Sequence, residues 1–449
     1  MFIGIDFGTS NTSAAVYDGQ EVRYIPLDPS NAEDPHILSS MLYISRTGDK
    51  SYGRQAINEY IEQLSGRPIR FEREEYGDVE MHFGDASYVA KTFYLVEKDL
   101  TGRLFQYLKK FVGSDFNTNV FGTFYKPAEL ITLILRHVKT TTEAYLQQEV
   151  DGVVLGRPVK YSEQEETNRR SVKSMRAACH AAGFQTVEFQ YEPVAAAFNY
   201  ALGVHASENI LIFDFGGGTF DATVVNVQQT RSNVLGLAGV PVGGSDFDRS
   251  IMYEKIAPYF GKGAKVKGDR WVPDNTFLEL LNWQTIMQLN KDRRFLRNLR
   301  DWLFYAEDPK PFKALERLVK ENHGFAIFQE IETAKKRLST DAQATVGYLV
   351  PEVFDGEGEI AIRQPITRAE FQTILAGYTE KIMHCIDETL RMANLTASNI
   401  RHVIRVGGSA KIPFFHNLLL RKFGPAKLVM QDEFKNVAGG LAVEAFAKH

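Results

Sequence analysis

The sequence predicts an α/β protein built from two related lobes, and three observations carry that prediction. An apolar run, Met1 to Ile5, ends in Asp6-Phe7-Gly8-Thr9-Ser10-Asn11-Thr12, and the same design returns as Ile210-Leu211-Ile212-Phe213-Asp214-Phe215-Gly216-Gly217-Gly218-Thr219-Phe220-Asp221. Strand and helix signals alternate through much of the chain, as in mixed α/β folds. The 449 residues, 44% hydrophobic and 24% charged, form an ordinary globular composition with room for two to four domains.

Each half opens with a buried strand that delivers an aspartate into a turn only small residues can follow, and then a second strand, Ser13 to Tyr17 or Ala222 to Val227. Val153-Val154-Leu155 reads as a strand ending at the turn Gly156-Arg157-Pro158, with a helix from Ser162 to Ala182 closed by Gly183. Val187 to Gln190 is a further short strand. Glu192-Pro193-Val194-Ala195-Ala196-Ala197 then opens a small-residue helix with proline in its first turn. The last third repeats this grammar: a helix from about Arg368 to Met392, a strand at His402 to Val406, the turn Gly407-Gly408-Ser409, and Pro413 entering a helix. The stretch from about Gly261 to Leu338 is rich in Trp, Phe, Leu, Lys and Arg at helical spacing and predicts a mostly helical insert.

A formal charge of -4 and a pI near 6.2 exclude the basic footprint that nucleic-acid or anionic-membrane partners require. Cys179 and Cys385 are far apart and belong to no zinc spacing, so neither a disulfide scaffold nor a structural metal is expected. The N-terminus enters a strand without a basic, apolar leader, and a cytoplasmic location is expected.

Glycines after a strand let backbone N–H groups approach phosphate oxygens, and Thr9, Ser10 and Thr219 add hydroxyl donors. A carboxylate beside a polyphosphate is repulsive unless a cation separates them. Asp6 and Asp214 therefore make sense as Mg²⁺ ligands, mostly through its water shell. A ligand-free Asp-x-Gly turn explains either loop alone, but a pair of one make suggests two lobes closing on one nucleotide. No GxxxxGK[ST] occurs, so the phosphate chemistry is not of the P-loop kind.

Five segments in order resemble signatures of the Hsp70 (DnaK) family within the actin and sugar-kinase superfamily: Gly4 to Asn11, Glu192 to Ala197, Phe213 to Asp221, Gly243-Gly244-Ser245-Asp246-Phe247-Asp248, and Val406 to Pro413. The resemblance implies a two-lobed actin-like ATPase fold, made of duplicated ribonuclease H-like domains with inserted subdomains. It implies lobe I over 1–205, with a core of 1–38 and 126–205 and an insert at about 39–125. Lobe II would span 206–430, with its core at about 206–242 and 365–430 and a mostly helical insert at about 243–364. Residues 431–449 would form a helix returning to lobe I. Ala438 to Ala442 is similar to the last helix of the family's ATPase domain. The chain is accordingly expected to be a stand-alone nucleotide-binding domain without a peptide-binding domain, similar to short bacterial DnaK-type proteins of the YegD kind.

By the same resemblance ATP or ADP with Mg²⁺ is the cofactor. Gly8, Thr9, Ser10, Asn11, Gly216, Gly217, Gly218 and Thr219 would line the phosphates, and Asp6 and Asp214 would hold the metal. Lys109, Glu192, Asp214 and Thr219 would serve hydrolysis. Gly243, Gly244, Glu332, Lys335, Ser339, Gly407, Gly408 and Ser409 would complete the nucleoside pocket. Lys109 has neighbours in Lys91, Lys98 and Lys110, and the stretch also reads as a solvated face; Glu192 also reads as an acidic residue before a helix. Lys336 and Lys411 stand where the chaperones carry arginines flanking the adenine. Ammonium groups stack on a purine less well than guanidinium planes do, so weaker or less base-selective binding is expected unless Arg337 supplies the plane.

Lys291, Arg293, Arg294, Arg297 and Arg300 oppose Phe295, Leu296 and Leu299, a pattern read as an amphipathic helix with a solvated face or a docking surface for an acidic partner. The implied function is a slowly hydrolysing, nucleotide-switched, chaperone-like protein, its client or partner binding at an unidentified surface. The alternatives are a small-molecule kinase of the same superfamily, for which no acceptor-side base is evident, and a nucleotide-gated scaffold with negligible turnover.

Overall fold

The computed structural model describes the backbone of the chain apart from residues 69–70, 84–85, 98, 163, 202–205, 229–230, 267–269, 353–357 and 431–435. Side chains are described except for these and 71–97, 199, 201, 231, 270, 430 and 436. Lys98 and the side chain of Lys91 thus lie outside the described residues, as do the points where boundaries at 205/206 and 431 were expected.

Two sheets share one topology. In the first, Phe2–Phe7 runs parallel to Gly152–Arg157, which runs parallel to Thr186–Tyr191; on the other side Asn11–Tyr17 and Val22–Tyr24 follow antiparallel. In the second, Glu208–Phe215 takes the place of Phe2–Phe7. His402–Val406 and Leu428–Met430 lie parallel on one side, and Phe220–Gln228 and Arg231–Val240 antiparallel on the other. The duplication read from the two aspartate loops is therefore a duplication of whole sheets. Their central strands are buried because both faces are covered, which is why they read as continuous apolar runs rather than alternating ones.

The flanking helices follow local signals. Arg368–Met392 starts at a capping box in which the Thr367 hydroxyl accepts from the Glu370 N–H (3.2 Å) and the Glu370 carboxylate accepts from the Thr367 N–H (2.9 Å). Glu165–Ala182 ends on Gly183 in the left-handed region, and Pro413–Phe423 begins with proline. The strand at Val153 does not stop at Gly156 as expected; it continues to Arg157, pairing Gly156 with Gln190 and Arg157 with Tyr191. Gly156 is a close approach inside the strand, since a Cβ there would stand 3.1 Å from Cγ of Glu192 and 3.2 Å from Leu441.

The insert of lobe II is mostly helical, through Trp283–Leu289, Arg293–Tyr305, Lys310–Lys320 and Gly324–Arg337. It also holds strands that a helical reading leaves out. Lys265–Val266 pairs with Arg270–Trp271, and Gln343–Val350 pairs with Ile360–Thr367, where Ala344, Val346, Ile360, Ile362 and Ile366 are buried at period two. The basic face is the solvated side of Arg293–Tyr305: Phe295 and Leu299 are buried, while Arg293, Arg294, Arg297 and Arg300 are exposed. Phe71–Phe83 and Ala86–Glu97 form a further antiparallel pair, beyond the sequence expectations.

Two separate cores join the lobes. The first gathers Val154 and Ala195–Ala197 with Ile210, Ile212 and Val406 and with Val437 and Leu441 of the terminal helix Asn436–Lys448. The second lies in the inserts, where Tyr60 of the helix Gly53–Leu64 meets Trp283 and Phe325 at ring-centroid distances of 5.5 and 5.0 Å. The Trp283 indole N–H donates to Gln106 Oε1 (2.9 Å), and the Asn322 amide donates to the Tyr60 hydroxyl (2.9 Å). Among the described residues no helix is long and apolar enough to cross a membrane.

Candidate functional site

The two aspartate loops make the same turn. Gly8 N–H donates to the Asn11 carbonyl (2.9 Å), and Gly216 N–H donates to the Thr219 carbonyl (3.1 Å). Neighbouring chain ties down the loop carbonyls. The Ser40 hydroxyl donates to the Gly8 carbonyl (2.9 Å) and the Ser40 N–H to that of Ser10 (2.8 Å). In the second loop the Gly216 carbonyl accepts from the Ser409 hydroxyl (2.9 Å) and the Gly244 N–H (3.0 Å), and the Gly217 carbonyl accepts from the Ser245 N–H (2.9 Å). Among the described residues nothing accepts from the N–H groups of Thr9, Ser10, Gly217 or Gly218. Loops with bound carbonyls and free N–H groups form an anion cradle.

The cradles face each other across the lobes. A Cβ on Gly217 would collide with the Ser10 hydroxyl, and one on Gly218 would lie 3.2 Å from Oγ1 of Thr9 and 2.7 Å from Cε of Lys110. Gly243 abuts Gly217 and Gly218. Gly407 combines a φ of 84° with an approach of 2.5 Å from its would-be Cβ to the Phe215 carbonyl, so a side chain is excluded twice over.

Beside the loops four carboxylates share one cation. Lys109, in the short turn Leu108–Phe111, donates to Oε1 of Glu192 at 2.7 Å, and the two side chains are only 8% and 14% exposed. Burial opposes the charge on Lys109, but Glu192, Tyr161 and Asp6 together hold it firmly protonated. Burial also pushes the carboxyl of Asp6 up to about 7, with Glu192 adding and Lys109 opposing. Asp214 is raised well above the ordinary range by burial and by the charges of Glu192, Asp221 and Asp6. Like charges crowded out of water favour the protonated acid, so the site lacks positive charge.

Asp221, missing from the expected site, sits opposite Asp214 in the antiparallel pair and is likewise pushed to about 7 by burial and by Glu192, with the Thr219 hydroxyl opposing. Ser13 occupies the equivalent place opposite Asp6, so superposing the two repeats on the sequence exposes Asp221 as an extra carboxylate. Tyr161, also unforeseen, buries its hydroxyl beside Lys109, with no hydrogen-bond partner among the described residues. No sequence motif signals it.

Among the residues expected to receive a nucleoside, a Cβ on Gly244 would meet Oγ of Ser409 at 2.8 Å, Nζ of Lys335 at 3.4 Å and Gly217 at 3.7 Å, so these residues do converge. Lys335 donates to the Gly244 carbonyl (3.1 Å) and to Asp248 (2.8 Å), fastening Gly324–Arg337 to the loop. Asp248 is a further unforeseen member, its carboxyl raised to about 6 by burial against the pull of Lys335. Glu332 pairs with Lys336 at 3.2 Å, one helical turn on, and the Lys336 side chain is 58% exposed. Lys411 is exposed at the end of the turn Gly408–Lys411, and Ser339 lies half-buried just past the helix.

A protein-family model described as Hsp70 protein matches residues 2–270 and 313–447, most of the chain. The chain belongs to the Hsp70 family. It is therefore a DnaK-type, nucleotide-binding, chaperone-like protein, and its twin sheets are the two lobes of the family's actin-like ATPase fold. The match leaves out 271–312, which holds Trp283 of the second interlobe contact and the arginine face of Arg293–Tyr305.

Proposed function

We propose that this Hsp70-family protein is a Mg²⁺-dependent, slowly turning-over ATPase whose lobes close on ATP and relax after hydrolysis. The observation that carries this reading is the opposed pair of cradles with free N–H groups beside an excess of buried carboxylates. An anion fits the first feature and a cation the second, and a metal–polyphosphate supplies both. Among the described residues no cluster of three or more His, Cys, Asp or Glu side chains is arranged to hold a metal directly. Asp6 and Asp214 acting through a water shell fit that arrangement. Bound there, magnesium would draw charge off the phosphate oxygens.

In this reading Thr9, Ser10, Gly217 and Gly218 orient the phosphates and Thr219 contributes a hydroxyl. Glu192, fixed by Lys109, orients the attacking water, and Lys109 offsets charge developing on the transferred phosphoryl group. Gly244, Lys335, Ser409, Glu332, Ser339, Gly407 and Gly408 receive the nucleoside. The lobe boundaries are proposed at 205/206 and 430/431, and the two buried free cysteines suit a reducing, cytoplasmic setting.

Purified protein with Mg²⁺ and ATP is expected to release phosphate slowly without any acceptor, and Lys109→Ala is expected to slow release by about 10²-fold or more. Turnover that appears only with a sugar or acid acceptor would overturn the reading in favour of a kinase; nucleotide binding with no release in either case would favour the scaffold.

Base selectivity is a second expectation. Lys336 is held by Glu332 and is more than half exposed, so it offers no plane to a purine. ATP and GTP should bind within about tenfold of each other, and Lys336→Arg should widen the gap toward ATP. A site that is strictly selective for ATP before that change defeats this expectation.

A further inference from the structure

Lys109 and Lys110 are consecutive, yet their ammonium groups meet different surroundings. Lys109 is matched by the Glu192 carboxylate at 2.7 Å. Lys110 crosses to the other lobe, where its Cε stands 2.7 Å from the would-be Cβ of Gly218, a point that is itself 3.2 Å from Thr9 Oγ1. Its ammonium donates to the Ser245 hydroxyl at 3.3 Å and lies 5.7 Å from the Tyr107 ring centroid. Among the described residues no carboxylate lies within ion-pair distance of it. The nearest charges acting on it are Asp246 and Arg249, of opposite effect, and burial biases it toward the neutral amine. A cation drawn out of water with only a hydroxyl and a ring face for company gains strongly when an anion arrives.

The position of that head narrows the anion. Carried on a turn of the first lobe, it donates to Ser245 behind the second cradle, and its stem lies against the open side of Gly218 that also faces Thr9 of the first cradle, so an anion bound to it is set between the lobes. Its backbone neighbour Lys109 sits on Glu192, the carboxylate of the reacting end. The phosphate at Lys110 is then the terminal one of a triphosphate rather than one shared with a diphosphate. Resting on the ATPase reading above, we propose that Lys110 is the residue by which this protein distinguishes nucleoside triphosphate from diphosphate, its ammonium binding the terminal phosphate between Thr9, Gly218 and Ser245. Lys109 serves turnover, and Lys110 serves recognition and interlobe closure. A side chain at Gly218 would displace the lysine stem, whose Cε stands 2.7 Å from the would-be Cβ.

The test compares equilibrium binding of ADP and of a non-hydrolysable ATP analogue to wild type, Lys110→Met, Lys110→Gln, Lys110→Arg and Lys109→Met, each checked for an unchanged thermal transition. Lys110→Met and Lys110→Gln are expected to lose about 10- to 100-fold in affinity for the triphosphate and no more than about threefold for ADP. Lys110→Arg, which keeps the charge, should stay within about fivefold for both, and Lys109→Met should lose turnover. Equal affinities of wild type and Lys110→Met for the triphosphate would overturn the proposal, as would equal losses for both nucleotides. If wild type binds neither nucleotide, the ATPase reading itself falls, a result distinct from either of those.

Discussion

Asp214→Asn is expected to make the nucleotide-free protein more stable at pH 8, by about 1–3 kcal/mol, while abolishing phosphate release. Four carboxylates, Asp6, Asp214, Asp221 and Glu192, surround the single ammonium of Lys109 in a buried site, and removing one negative charge relieves desolvation and mutual repulsion together. The pH dependence carries the sign. Asp6 and Asp221 are pushed up to about 7 in the folded protein, by burial first and then by Glu192, and Asp214 is raised well above the ordinary carboxylate range by burial and by Glu192, Asp221 and Asp6. Between the ordinary carboxylate range and about 7 the folded state therefore binds more protons than the unfolded one, so this cluster costs stability progressively as pH rises through that window. The advantage of Asp214→Asn should be small at pH 5 and largest near pH 8. His137, His323 and His416, whose burial favours the neutral ring, act in the opposite direction over the same range but equally in both proteins, so they cancel in the comparison. Mg²⁺ with ATP should stabilise wild type and leave the variant nearly unchanged. Denaturant unfolding at the two pH values decides the matter: a variant less stable than wild type at pH 8 without nucleotide would show that the carboxylates are not short of positive charge.

The features that build this cluster were unequally legible in the sequence. The paired strand–aspartate–glycine loops announced both lobes because a buried strand and a tight turn are local events, written in consecutive residues such as Ile210 to Asp221. Glu192 is legible through the resemblance of Glu192 to Ala197 to a family signature, its proline and alanines marking the helix start. Asp221 was passed over although it stands in the same motif, because its importance is a cross-strand fact: it faces Asp214 only once the register of Glu208–Phe215 and Phe220–Gln228 is set. Asp248 stands in the quoted Gly243–Asp248 signature, but its pairing with Lys335 appears only once Gly324–Arg337 is packed against it, and Tyr161 reaches the site from another element with a spacing that no periodicity records. The strands Gln343–Val350 and Ile360–Thr367 were hidden for another reason: the surrounding helical composition outweighed a short alternation of small and branched residues. Lys109 and Lys110 look alike in sequence, and only the direction each side chain takes from the turn Leu108–Phe111 separates the paired cation from the unpaired one.

Opening the cleft must also break the aromatic contact between the inserts, so Trp283→Ala is expected to speed nucleotide release by about 30-fold or more, besides costing about 3–5 kcal/mol of stability. Trp283 is 4% exposed, packs on Tyr60 and Phe325, and satisfies its N–H on Gln106 of the opposite lobe. The core shared by Ala195–Ala197, Ile210, Ile212 and Leu441 joins the lobes through their sheets and can serve as a hinge, whereas the Tyr60–Trp283–Phe325 cluster joins residues far from the sheets and must part when the lobes do. Lost contact energy should then appear in the release rate, at tenfold for each 1.4 kcal/mol. Tyr60→Phe provides the graded control. It keeps all three rings and removes one hydroxyl from the buried Asn322 amide, which should cost about 1 kcal/mol and quicken release by about fivefold. Trp283 lies in the 271–312 segment outside the family match, whereas Tyr60 and Phe325 lie within the match, and the strength of this latch is expected to set how long the nucleotide stays independently of the loops that bind it. Stopped-flow displacement of a fluorescent nucleotide measures the rate directly. Variants that lose stability in the stated order while releasing nucleotide at the wild-type rate would show that the lobes open without parting this contact.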